Sequence, residues 1–200
     1  MNTLFWTALA FALGALPFAY WLGHVFLGVD VRDYGADHNP GASNAWRAGG
    51  WRLGLLAAVL DVSKATAAVA AARLAGFSHW DLVPVALAPV FGHAFSPFMG
   101  FRGGRGVAAT FGMWLGLAGP LGALLLAVCF GLVYALQRTD AWTVVIGSSL
   151  FFAVLLLNGS AGVLLTISLV NVLLLAWTSR RELHVPPRPR SLHILERQTW

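Results

Sequence analysis

Apolar runs of membrane-spanning length follow one another along this chain with only one long interruption, between residues 28 and 52. A helix needs roughly 20 consecutive apolar residues to cross about 30 Å of hydrocarbon, so these runs leave little choice but a bundle of membrane helices. Composition agrees. The 200 residues are 58% hydrophobic and only 10% charged, with a mean hydropathy of +0.72, whereas about a quarter of a soluble domain is charged. No stretch remains for a separate soluble domain, so residues 1–200 are expected to form one membrane-embedded domain, with 179–200 as a basic tail. The single cysteine, Cys129, lies in the run LLLAVCFGL. It excludes a disulfide scaffold and reads as a small buried or lipid-facing residue.

The opening segment, residues 1–27, has no basic start and is too long for the apolar core of a signal peptide, so it is expected to remain as the first span. The interruption that follows, GVDVRDYGADHNPGASNAWRAGGWR, is rich in Gly, Asp, Asn and Pro and reads as a long loop. Further spans are expected at 53–75, 82–99, 107–118, 121–136, 142–157 and 161–178, separated by Gly76, GFRGGRG, Gly119-Pro120, QRTD and Asn158-Gly159-Ser160. Seven transmembrane helices result. They sort eleven of the thirteen Lys and Arg residues to one side, leaving only Lys64 and Arg73 elsewhere. By the positive-inside rule that side is cytoplasmic, with the N-terminus outside and the C-terminus inside. Merging the two short middle spans would put the RGGRG loop and the basic tail on opposite faces, so charge sorting favours seven. In this setting the net charge of +5 reports cytoplasmic loops and not nucleic acid. The Pro- and Arg-rich tail reads as a polybasic segment for anionic headgroups.

Three features go beyond what crossing a bilayer requires. In the string DHNPGASN, Asn39, Gly41, Ser43 and Asn44 offer close backbone approach and hydrogen bonds, and Arg47 follows with a guanidinium able to fork an anion; ordinary turn chemistry accounts for the same pattern. Gly92-His93 closes the third span, and Gly103, Gly104, Arg105 and Gly106 open the fourth, where backbone N–H groups at a helix start favour an anion. Neither a Walker loop nor a dinucleotide fingerprint is present. Asp61 and Lys64 stand one helical turn apart within the second span, as an ion pair or as part of a polar site. All three features converge on the cytoplasmic interface. Midplane sites on broken helices would suit a transporter; this placement suits an enzyme joining a water-soluble anion to a lipid-soluble chain.

These residues resemble the bacterial acyl-phosphate-dependent glycerol-3-phosphate acyltransferases of the PlsY type. That family's first motif, Ser-Gly-Asn-x-Gly-Ala-Thr-Asn with a following Arg, is matched by Asn39, Gly41, Ala42, Asn44 and Arg47, with Ser43 for Thr. Its second motif resembles Gly92, His93, Phe101, Gly103, Gly104, Arg105, Gly106, Val107 and Ala108, and its second-span Asp and Lys resemble Asp61 and Lys64. Departures are Asp37 for the motif-one serine, His38 for a glycine and Arg105 for a lysine. The nearest match to the third, Asn-Ile, motif is His193-Ile194, and Ser148 is the counterpart of a sixth-span serine.

The resemblance implies transfer of a fatty acyl group from acyl phosphate to the 1-hydroxyl of glycerol 3-phosphate, giving lysophosphatidic acid at the cytoplasmic face of a bacterial inner membrane. It implies no cofactor and no metal, and neither HExxH nor a cysteine cluster is present. The expected partners are the two substrates and the bilayer, with the chain acting as a monomer and no nucleic acid involved. Asn39, Gly41, Ser43, Asn44, Arg47, Lys64, Gly103, Gly104, Arg105, Gly106, Ser148 and His193 are the expected substrate-binding residues. His93 or Asp37 would assist catalysis beside a substrate phosphate that accepts the proton. A carboxylate at Asp37 would repel a bound phosphate unless paired with Arg47 or turned away. Two alternatives stay open: a diverged member acylating another acceptor, and a non-catalytic lipid-binding or transport protein on the same scaffold.

Overall fold

A computed structural model describes residues 2–190; His193 therefore lies outside the described residues. The architecture is all helical. Helices α1 (Thr3–Ala15) and α2 (Phe18–Leu27) are followed by a short 3-10 turn at Val31–Tyr34 and by α3 (Ala42–Leu74). A second turn at His79–Asp81 leads into α4 (Leu82–Ala94), a third at Pro97–Met99 precedes α5 (Val107–Leu136), and α6 (Asp140–Leu157) and α7 (Gly162–Ser179) complete the bundle. Among the described residues, six segments are long and apolar enough to cross a membrane: Thr3–Leu27, Ala42–Leu74, His79–Met99, Val107–Leu136, Asp140–Leu157 and Gly162–Ser179. Where the sequence suggests seven, residues 107–136 run as one helical segment interrupted at Gly119.

That interruption is a reversal. Gly119 has φ 69° and ψ −164°, and nineteen residues of straight helix would hold Phe111 and Phe130 about 28 Å apart, yet their rings pack edge to face with centroids 5.5 Å apart. The carbonyl of Gly116 would normally accept from the residue four ahead, which is Pro120 and has no N–H. Arg73 of α3 supplies donors instead, to Leu117 O at 2.6 Å and Gly116 O at 3.4 Å. A similar fold-back opens α3. Gly49 and Gly50 leave helical geometry, and residues 42–48 pack against the arm that follows, where a Cβ on Gly54 would come within 2.5 Å of Trp46 Cβ. The stretch expected to be loop throughout thus contains a short helix, stabilised by its own downstream arm and not by an apolar period.

Close helix contacts set the site. A Cβ on Gly14 of α1 would lie 2.1 Å from Pro89 O of α4, and one on Gly92 of α4 would lie 2.1 Å from Phe11 O. Small residues that let backbones approach are a usual way for helices to associate in lipid. The contact brings the break between α1 and α2, at Leu16-Pro17, against the end of α4. Beyond α7 the tail turns back on the connection between α5 and α6: Trp142 Nε1 donates to Val185 O at 2.7 Å, Arg138 N to Arg188 O at 2.9 Å, and Arg190 N to Leu136 O at 2.9 Å.

Candidate active site

Residues 35–47 are organised by one buried side chain. Asn44 donates through Nδ2 to Asp37 Oδ1 at 3.0 Å and Asn39 O at 2.9 Å, and its Oδ1 accepts from Arg47 Nη1 at 2.6 Å. It is fully buried, and its partners satisfy it, as burial demands. Gly41 caps the helix that begins at Ala42. Asn39 Oδ1 is buried without a hydrogen-bond partner.

The second loop starts at the end of α4. Gly103 N donates to Ala94 O and Gly104 N to His93 O, each at 3.0 Å, and a Cβ on Gly103 would meet His93 O at 2.0 Å. Gly106, with φ 93°, caps α5 in a left-handed conformation that side chains disfavour. Between these glycines, Arg105 Nη2 reaches Asp37 Oδ2 at 2.5 Å and Glu182 Oε1 at 2.7 Å, while Thr178 Oγ1 holds the Arg105 carbonyl at 2.9 Å. Burial alone would push the Asp37 carboxyl up; the hydrogen bond from Asn44 and the charge and hydrogen bond of Arg105 outweigh it and hold Asp37 below the ordinary carboxylate range. Desolvation pushes Glu182 up, and the Arg105 charge offsets this only in part.

Beneath both loops lies a buried triad. Lys64 Nζ is 2.7 Å from Asp61 Oδ1, 2.6 Å from Leu16 O and 3.2 Å from His93 Nδ1. Leu16 O is available because the helix breaks at Pro17. Ser96 Oγ uses the neighbouring carbonyl, Ala15 O, at 2.6 Å.

Above the triad opens a cavity of about 410 Å³, within the usual size of a small-molecule site. Asn39, Gly41, Ser43, Asp61, His93, Arg105, Asp140 and Thr143 supply its polar lining, and Ala58, Val62, Val107, Ala108, Phe111 and Val144 its apolar lining. One compartment can therefore hold an anionic head and the start of an apolar chain.

The sequence profile of glycerol-3-phosphate acyltransferases matches residues 4–184. The chain belongs to the glycerol-3-phosphate acyltransferase family. It is 36% identical over 184 residues to a glycerol-3-phosphate acyltransferase of Thermus thermophilus, covering 92% of this chain and 91% of that one. A protein of the same name from Parasynechococcus marenigrum is 33% identical over 183 residues, covering 90% and 84%. The fold is similar to crystal structures of PlsY, an integral membrane glycerol 3-phosphate acyltransferase. Its glycerol 3-phosphate form superposes with a TM-score of 0.83 at 28% identity, covering 92% of this chain and 91% of that one. Its lysophosphatidic acid form gives 0.77 at 26% over the same shares.

On this acyltransferase scaffold the residues expected from sequence largely converge. Asp37, Asn39, Gly41, Ser43, Asn44, Arg47, Lys64, His93, Gly103, Gly104, Arg105 and Gly106 share one pair of loops and the triad below them. Asp37 pairs with Arg105, where Arg47 was the expected partner; Arg47 Nη1 donates instead to Asn44 Oδ1. Ser148 stands apart: its hydroxyl donates to Val144 O at 2.7 Å within its own helix, and Thr143, five residues earlier, lines the cavity. Glu182, Thr178 and Asp140 were not anticipated. An acidic residue directly after the last span, beside Arg180 and Arg181, was the signal for Glu182.

Proposed function

We propose that this chain transfers a fatty acyl group from an acyl phosphate to the 1-hydroxyl of glycerol 3-phosphate, giving lysophosphatidic acid and inorganic phosphate. The observation that carries the reading is Arg105, set between two glycine-bearing loops at a cavity with polar and apolar walls. In the reaction the acceptor oxygen bonds to the acyl carbon, the bond from that carbon to the phosphate oxygen breaks, and the departing phosphate takes the hydroxyl proton. An acyl phosphate carries its own good leaving group, so positioning and cationic stabilisation supply most of the acceleration. Arg105 and Arg47 bind substrate phosphates; Asn39, Gly41, Ser43 and the glycines 103, 104 and 106 shape the cradle. Kinship with proteins named glycerol-3-phosphate acyltransferase, including PlsY in glycerol 3-phosphate and lysophosphatidic acid forms, supports the acceptor and the product. The Arg105 contact offsets part of the repulsion that the Asp37 carboxylate would exert on a phosphate-bearing acceptor.

We further propose seven crossings of a bacterial inner membrane, with α5 a hairpin of two, the N-terminus outside, the site on the cytoplasmic face and the chain working as a monomer. Purified protein incubated with palmitoyl phosphate and glycerol 3-phosphate should yield palmitoyl lysophosphatidic acid by mass spectrometry. Arg47→Ala and Arg105→Ala should each lower turnover by about a hundredfold or more. Acylation of another acceptor from a panel, with none of glycerol 3-phosphate, would overturn the reading.

A further inference from the structure

The three N–H bonds of an ammonium point outward, and an ammonium has no lone pair to accept with. Around Lys64 Nζ, Leu16 O and His93 Nδ1 stand at hydrogen-bond distance, and Asp61 Oδ1 is an ion-pair contact at 2.7 Å outside hydrogen-bond geometry. A proton on His93 Nδ1 would face the ammonium donor to donor at 3.2 Å, and Asp61 Oδ1, at 3.6 Å from Nδ1, is too far to take that proton in a good hydrogen bond. Nδ1 must therefore present its lone pair, which places the imidazole proton on Nε2. That nitrogen faces the second glycine loop so closely that a Cβ on Gly104 would lie 2.1 Å from it. His93 also lines the cavity shared with Asn39, Gly41 and Arg105.

We infer that Lys64 is a positioning residue that locks His93 as the neutral Nε2–H tautomer, so that His93 serves the reaction as a hydrogen-bond donor to an anionic substrate oxygen and not as its base. The inference rests on the acyl-transfer reading for the identity of that oxygen, which belongs to the phosphate or to the carbonyl as negative charge develops on it. Asp61 faces the ammonium as its counterion, the broken helix supplies a carbonyl acceptor, and the imidazole accepts a further N–H. The hydroxyl proton then leaves with the phosphate, as the balanced reaction already requires. Gly104 carries no side chain, which lets its loop pack against Nε2.

The test has a spectroscopic arm and a kinetic arm. In protein labelled with nitrogen-15 histidine, the His93 signals, assigned by their loss in His93→Gln, should show an unprotonated Nδ1 and a protonated Nε2. A protonated Nδ1, or an imidazolium, overturns the inference whether or not the protein acylates anything. Lys64→Met should move the proton to Nδ1 or add a second one, since Asp61 then faces the ring alone; an unchanged tautomer shows that Lys64 does not set it. Glutamine can place an amide N–H where Nε2 stands but cannot act as a base. His93→Gln should therefore keep turnover within about tenfold, while His93→Ala loses about a hundredfold or more. Equal losses in the two variants would restore the base. If the wild-type protein leaves glycerol 3-phosphate unacylated, the functional reading fails while the tautomer is still decided by the spectra.

Discussion

One nitrogen of Arg105 serves two carboxylates, and those carboxylates are displaced from their ordinary acidity in opposite directions. A substrate phosphate arriving at Arg105 competes with both for the same guanidinium. Glu182→Gln removes one competitor, and the KM for acyl phosphate should fall a few-fold, the scale of about 0.5–1 kcal/mol for a partly exposed ion pair; a rise in KM would mean that Glu182 orients the guanidinium more than it blocks it. The opposite shifts also have opposite consequences for stability. Glu182, whose folded-state pKa is raised, contributes stability at low pH that is lost as pH rises through that value. Asp37, whose folded-state pKa is depressed, contributes stability above the ordinary carboxylate range that is lost as pH falls through its lowered value. Melting curves against pH should therefore separate Glu182→Gln from wild type just above the usual glutamate range, and Asp37→Asn only in more acidic solution.

Helix interruptions, more than helices, build this molecule. At Gly119 the backbone has positive φ with ψ near 180°, a region essentially closed to other residues. Gly119→Ala should destabilise the protein by about 1–3 kcal/mol in thermal unfolding, whereas Gly131→Ala, in open space on the second arm of α5, should not. The apolar run and the Gly-Pro pair made this reversal readable from sequence, as did the spacing of the two glycine-bearing motifs, because chemistry there needs particular residues at particular offsets. The helix at 42–48 was not readable, since it is too short to show a period and is held by Gly54, which lets Trp46 come close. Ser148 lies off the cavity lining and is engaged within its own helix: a hydroxyl inside a membrane helix bonds its own backbone unless a neighbour competes. An acidic residue after the last span marks Glu182 in the sequence, but its meeting with Arg105 comes from the path of the chain after α7, which no local pattern records.

At the scale of the whole protein, the two loops, the end of α7 and the connection between α5 and α6 gather at one end of the bundle. Cysteines introduced at Ser160 and Arg181 should react with an impermeant reagent from opposite sides of intact cells, Ser160→Cys from outside and Arg181→Cys only after permeabilisation; labelling of both from outside would sink the cytoplasmic site. The opposite end is closed by Arg73, whose guanidinium covers the carbonyls left by Pro120. The contact between Arg105 and Glu182 has a consequence that is a matter of parity. Two points that touch lie on the same side of a bilayer, so the chain between them must pass through it an even number of times. Between residues 105 and 182 run α5, α6 and α7, and if each crossed once the count would be odd. The proposed seven crossings, with α5 going in and coming back, give an even count, so under that proposal the ion pair between Arg105 and Glu182 and the turn at Gly119 on the far side stand or fall together.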